Sequence, residues 1–190
     1  MLKIKLLGTT FRISYYFIFI CTFLFLLDRT GVISASFLSV LVHEMAHIIF
    51  MKIFKVKLPL VEFSPGVVKI SSQLFIPAYK RFVLALSGPI LNIICGLLVF
   101  SEITFIKYFG ISSLVLGVFN LMPIKGLDGG DALLIILSNF SWGERGFSFI
   151  SIISVAFIIV IGGYVFLKVG NNPMLLLCGI YLSILSFRKI

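Results

Sequence analysis

Val42-His43-Glu44-Met45-Ala46-His47-Ile48 sets three ionisable side chains inside an apolar run from about Val32 to Phe54. A run of that length can cross a bilayer as a helix. Positions i and i+4 of a helix lie one above the other on one face. His43 and His47 can therefore offer imidazole nitrogens to one metal ion. Glu44 sits beside that site and can accept a proton from water held there. Ionisable groups at membrane depth cost free energy that a structural role does not easily recover. These two histidines are also the only ones in the chain. A metal site within a membrane helix is the reading that follows.

Composition supports the membrane. Of 190 residues, 60% are hydrophobic and 12% charged, against roughly half and about a quarter in soluble domains. The mean hydropathy is +1.19. The fold class expected is an all-α polytopic membrane protein: six transmembrane helices, with a small membrane-associated β-hairpin between the second and third. Residues 1–190 are expected to form one core domain, with no PDZ-like or nucleotide-sensing domain. The net charge of +9 sits between apolar runs, which reads as topology rather than nucleic-acid binding. Cys21, Cys95 and Cys178 fall singly in apolar segments and read as small buried hydrophobes. No small-residue cleavage site follows Leu27, so the first apolar segment is read as a retained helix.

The expected helices run about Ile13–Leu27, Ile33–Phe54, Tyr79–Val99, Tyr108–Met122, Phe147–Leu167 and Met174–Phe187. The first twelve residues are read as interfacial. Ala132–Leu137 is a further apolar piece, and Gly170-Asn171-Asn172-Pro173 is the last turn. Between Leu58 and Ala78, Val61-Glu62-Phe63, Ser64-Pro65-Gly66 and Val67-Val68-Lys69-Ile70 read as strand, turn, strand. An ordinary interfacial loop fits that stretch equally well.

Ser87-Gly88-Pro89-Ile90-Leu91-Asn92 puts a proline inside the third helix, which frees a backbone carbonyl. Gly88 permits close approach of another helix or of substrate. Asn92 is expected to face the bundle interior. Helix packing alone accounts for Gly88 and Pro89.

Asn120-Leu121-Met122-Pro123-Ile124-Lys125-Gly126-Leu127-Asp128-Gly129-Gly130-Asp131 is broken backbone, tolerated at membrane depth only when buried or lining a wet cavity. Asp128 can supply a carboxylate to the metal. Two histidines, one carboxylate and an open fourth position form a catalytic zinc arrangement. Asp-Gly is also a common turn pair. The need for a third ligand, with no other histidine present, raises Asp128 above that role.

With both termini inside, the inner segments hold Lys3, Lys5, Arg12, Lys52, Lys55, Lys57, Lys69, Lys80, Arg81, Lys125, Arg145, Arg188 and Lys189. The outer turns hold Arg29, Lys107 and Lys168. This positive-inside bias places both ends in the cytoplasm, with a cytoplasmic active-site opening. His43 then lies about 13 Å from the inner end of its helix, the same half as the break.

His-Glu-x-x-His, Gly-Pro-x-x-Asn, then Asn-x-x-Pro with Leu-Asp-Gly-Gly, in that order over roughly Leu38 to Asp131, resemble the site-2 protease family of intramembrane zinc metalloproteases. Short length, Leu-Met-Pro-Ile before the Asp-Gly-Gly and a brief amino-terminal region look most like the stage IV sporulation protein FB branch. The resemblance implies one zinc per chain on His43, His47 and Asp128, with Glu44 as general base. It implies that Asn120 holds substrate or the developing oxyanion. Gly88, Pro89, Asn92 and Gly129 would support the site. Implied partners are a membrane-associated or single-span protein substrate, a regulatory membrane protein and the lipid bilayer of a bacterial cell. Gly126 stands where the family often has proline, and Asp131 where a basic residue is common. The competing class is non-hydrolytic: a metal or ion transporter, or an inactive homologue acting as a binding partner. Transporters often show repeated halves, and no repeat is visible.

Overall fold

The computed structural model describes residues 1–6, 9–56, 60–64, 67–71, 76–170 and 174–187. The Ser64-Pro65-Gly66 turn beyond Ser64, the Asn171-Asn172-Pro173 turn and the terminal Arg188-Lys189-Ile190 fall outside the described residues. The elements are β1 (Leu2–Leu6), β2 (Thr9–Ile13), α1 (Tyr15–Leu27), α2 (Val32–Ile53), β3 (Leu60–Ser64), β4 (Val67–Ser71), α3 (Ala78–Gly96), α4 (Thr104–Asn120), α5 (Asp128–Leu137), α6 (Gly143–Val165) and α7 (Met174–Phe187). A 3-10 turn, Leu97–Phe100, extends α3, and a π turn, Phe166–Gly170, follows α6.

Three of these helical stretches, Val32–Ile53, Ala78–Phe100 and Gly143–Lys168, are long and apolar enough to cross a membrane. A 22-residue helix such as α2 rises about 33 Å, a full hydrocarbon core. Large apolar side chains face outward along the bundle; Leu26 is 79% and Phe100 82% exposed. In water such a surface would aggregate, whereas in lipid it costs nothing. The chain is an integral membrane protein. Tyr15–Leu27 and Thr104–Asn120 are shorter apolar helices.

Two features correct the sequence expectations. The first residues form strands that the sequence reading did not expect: β1 and β2 pair antiparallel, Leu2 opposite Ile13 and Leu6 opposite Thr9. β2 then runs parallel to β3, and β3 antiparallel to β4 with Val61 opposite Ile70. The strand order is β1-β2-β3-β4, so the chain is not all-α among its described residues. The strands are five residues each, too short for alternation to stand out against a generally apolar chain. Second, the apolar piece expected from Ala132 begins four residues earlier, as α5 starting at Asp128.

The ends of α2 are fixed locally. Asp28 Oδ1 accepts from the Gly31 N–H at 2.8 Å, while Oδ2 accepts from the Ser34 N–H at 2.7 Å and hydroxyl at 2.6 Å. These bonds satisfy donors that the first turn leaves open. At the other end Lys55 is left-handed, φ 58°. Val56 N–H reaches Met51 O at 2.8 Å and Lys55 N–H reaches Lys52 O at 3.0 Å. This is a Schellman stop, and Val56 packs on the Ile48–Met51–Leu84 core beside it.

Helices α2, α3 and α4 form the centre. An added Cβ on Gly117 would meet Pro89 O at 2.9 Å, and one on Gly96 would meet Leu114 Cβ at 3.0 Å. Small residues thus let α3 and α4 approach closely, the usual basis of helix association in lipid. A second core, Ile124, Val155, Ile158 and Leu182, joins α6 and α7 to the loop after α4.

Candidate metal centre

The apolar periphery leaves the polar chemistry facing inward. His43 and His47 are both buried on one face of α2, 6% and 8% exposed. Asp128 reaches them from the first residue of α5. His43 Nε2 stands 2.9 Å and His47 Nε2 3.3 Å from Asp128 Oδ2. The two Nε2 atoms are 3.3 Å apart.

Protonation constrains what that triangle can hold. His47 Nδ1 lies 3.0 Å from Leu84 O. A carbonyl only accepts, so Nδ1 carries a proton and the neutral ring presents a lone pair at Nε2. That lone pair faces a carboxylate oxygen and another imidazole. A cation between the three atoms turns the repulsion into attraction. Tetrahedral zinc with bonds near 2.0–2.2 Å separates its ligand atoms by about 3.3 Å, the spacing found here. The donor set and its geometry fit a metal ion.

Gly88 belongs to the same construction. A Cβ there would stand 2.5 Å from His47 Nε2 and 2.9 Å from His43 Nε2. Only glycine leaves the converging nitrogens room. Leu84 and Gly88 bracket one turn of α3. Ser87 Oγ donates to Leu84 O at 2.7 Å and lies 3.1 Å from His47 Nδ1. Pro89, inside α3, removes the N–H that Ala85 O would otherwise receive. Asn92, one turn beyond Gly88, is fully buried.

The loop that delivers Asp128 is tightly built. Leu127 N–H bonds Ile124 O at 3.0 Å, and Gly126 has φ 91°. This is a type II pattern, in which the third residue needs a positive φ. Proline, held near −65°, cannot take that place. Glycine at 126 therefore shapes the turn. The next two glycines let α5 begin against the preceding backbone: a Cβ on Gly129 would overlap Leu121 O, and one on Gly130 would overlap Ile124 O. Ile124 itself is fully buried. The loop is fastened to the α6–α7 core at the point where it turns toward the histidines.

A cavity of about 680 Å³ opens beside the three atoms, lined among others by His43, Glu44, His47, Asn120 and Asp128. Glu44 is half-buried. Asn120 Nδ2 donates to Leu116 O at 3.1 Å, which leaves its second amide proton and its oxygen available. The structure brings His43, Glu44, His47, Asn120 and Asp128 around one space, with Gly88 directly against the imidazoles. Pro89, Asn92 and Gly129 stand behind them. Asp131, Arg81 and Glu144 also line the cavity.

Sequence reasoning missed the Leu84 carbonyl and the Ser87 hydroxyl that hold His47. A carbonyl leaves no mark in a sequence. Ser87 had one signal: it immediately precedes the Gly-Pro pair.

In overall fold the chain is similar to the solved structure titled "Site-2 Protease from Methanocaldococcus jannaschii", with a TM-score of 0.65 and 20% identity over 100% of this chain and 96% of that one. No family model matches the chain, and no curated protein matches it in sequence. The likeness establishes a shared fold.

Proposed function

We propose that this chain is an intramembrane zinc metalloprotease of the site-2 protease type. It would hydrolyse a peptide bond within or near the membrane segment of a protein substrate. The observation that carries the reading is the meeting of His43 Nε2, His47 Nε2 and Asp128 Oδ2 within 4.8 Å of one another, beside a carboxylate and an enterable cavity, in a fold shared with a site-2 protease.

Residue roles follow from position. His43, His47 and Asp128 would hold one zinc ion. When bound, zinc would supply a Lewis acid and lower the pKa of water toward neutrality. Glu44 would accept the proton of the attacking water and later pass it to the leaving amine. The free amide proton of Asn120 would donate to the developing oxyanion. Leu84 O and Ser87 would keep the His47 ring turned so that Nε2 faces the site.

The finer arrangement belongs to the same proposal. Six spans would set both termini, the sheet and the cavity mouth on the cytoplasmic side, with β3 and β4 at the membrane surface. A helical substrate must be locally extended before its backbone can be cut, and a strand edge could hold the extended form. Partners would be a membrane-associated or single-span substrate and a regulatory membrane protein in a bacterial membrane. The stage IV sporulation protein FB branch draws no support from the fold.

The test is cleavage of single-span substrates in liposomes, comparing the natural chain with Glu44→Gln. Retained zinc with cleavage lost in the variant supports the proposal. Equal cleavage by both removes Glu44 from its role, and zinc flux into liposomes without cleavage favours the transporter.

A further inference from the structure

The two imidazoles are not supported alike. His47 Nδ1 has its acceptor in Leu84 O. His43 Nδ1 is buried and has no protein partner. With His43 Nε2 turned to Asp128 and its lone pair free for a metal, Nδ1 carries the proton and needs an acceptor.

Among the described residues, Ser39 Oγ, both polar atoms of Asn92 and Ser113 Oγ share this condition, as does Arg12 Nε on β2. Ser39, Asn92 and Ser113 are 0% exposed. They come from α2, α3 and α4, and the helix register brings them to one level. Gly88 of α3 faces His43 and His47, so Asn92, one turn on, lies beside the turn of α2 that holds Ser39. Gly117 of α4 faces Pro89 and Ile93, and Leu114 faces Gly96, which puts Ser113 next to the same turn of α3. Ser36 Oγ and Ser112 Oγ, 2.9 Å apart, set α2 and α4 in the matching register. His43 follows Ser39 by one turn on the same stripe. None of the four groups bonds another or any other protein atom. Buried polar groups are almost always satisfied, and where protein does not serve them, ordered water does.

We propose that internal water, held by Asn92 with Ser39 and Ser113, accepts the His43 Nδ1 proton. Asn92 is then a positioning residue for the metal centre. It acts through water on His43 as Leu84 O acts directly on His47. The metal-centre part of this inference rests on the proposed function; the water site does not.

The test uses the full chain in lipid nanodiscs, labelled with ¹⁵N at histidine and asparagine. Only two histidines contribute, so the ring signals are separable. Magnetisation transfer from water is read at the Asn92 side-chain amide and the His43 Nδ1–H, with and without zinc. Transfer to Asn92 is expected in both states, and to His43 in the zinc-loaded state. Asn92→Leu, nearly equal in size, should abolish the His43 transfer and weaken zinc binding about tenfold or more, the usual scale for groups behind a ligand. Asn92→Ser should restore part of both, and Ser39→Ala and Ser113→Ala should each reduce the transfer. No water transfer at Asn92 in the natural chain overturns the proposal, whatever the variants do. Zinc affinity and His43 transfer unchanged in Asn92→Leu also overturn it. A natural chain that shows the Asn92 water but binds no zinc refutes the metal reading instead.

Discussion

Ser151 on α6 accepts a 3.0 Å hydrogen bond from the backbone N–H of Lys125, three residues before Asp128. The proposed third metal ligand is therefore anchored to a helix long and apolar enough to cross a membrane rather than carried on a free loop. Ser151 is buried, so losing its hydroxyl leaves a backbone donor without its partner, at a cost of about 1–3 kcal/mol. Ser151→Ala should lower thermal stability by that order and weaken zinc binding severalfold. Chelator competition and thermal unfolding in detergent measure the two.

Gly88→Ala asks whether the imidazoles can yield. The added methyl would occupy the space between the two Nε2 atoms. We expect zinc binding to fall at least a hundredfold, while the helix remains folded. Gly163→Ala is the control, since nothing lies within 4 Å of its Cβ position. Zinc titration should leave that variant indistinguishable from the natural chain.

Gly126→Pro tests the turn. A φ of 91° is closed to proline, so the turn must rearrange and carry Asp128 with it. Zinc stoichiometry should drop well below one per chain. Gly126→Ala meets open space but keeps the positive φ, and should cost only about 1–2 kcal/mol.

The turn before α2 gives a pH prediction. The Ser34 hydroxyl, helped by the N–H groups of Ser34, Ile33 and Gly31, holds the Asp28 carboxyl down to about 2. In the unfolded chain it titrates near 3.9. A depressed folded pKa stabilises at pH above the unfolded value, and that contribution disappears as pH falls through the folded one. The stability difference between the zinc-free natural chain and Asp28→Ala should be constant above about pH 5. It should shrink from pH 4 to pH 2. A difference that does not change over that range would disconnect Asp28 from the helix start.

Much of this site is readable from residue order. His43 and His47 announce themselves because a helix puts i and i+4 together and nothing else in the chain can serve. Asp128 is singled out because a third ligand is wanting and the backbone there is broken; that a helix, α5, begins at that residue is not legible. The long apolar helices stand out by hydropathy. Other parts are silent for physical reasons. β1 and β2 are short, and the pairing that joins them to the rest, β2 beside β3, lies across the chain. Leu84 contributes a backbone carbonyl, which any residue type would offer. Asn92 reads as an interior polar residue, but its lack of a protein partner emerges only from three helices in register.

The central claim is that Asp128 closes on the same ion as His43 and His47. Zinc-edge X-ray absorption on the natural chain and on Asp128→Ala, with zinc content measured in both, tests it most directly. The account predicts one zinc per natural chain, with two imidazole nitrogens and oxygen ligands at about 2.0–2.2 Å, and a protein-oxygen shell and affinity both diminished in the variant. An unchanged spectrum and unchanged zinc content in Asp128→Ala would contradict it.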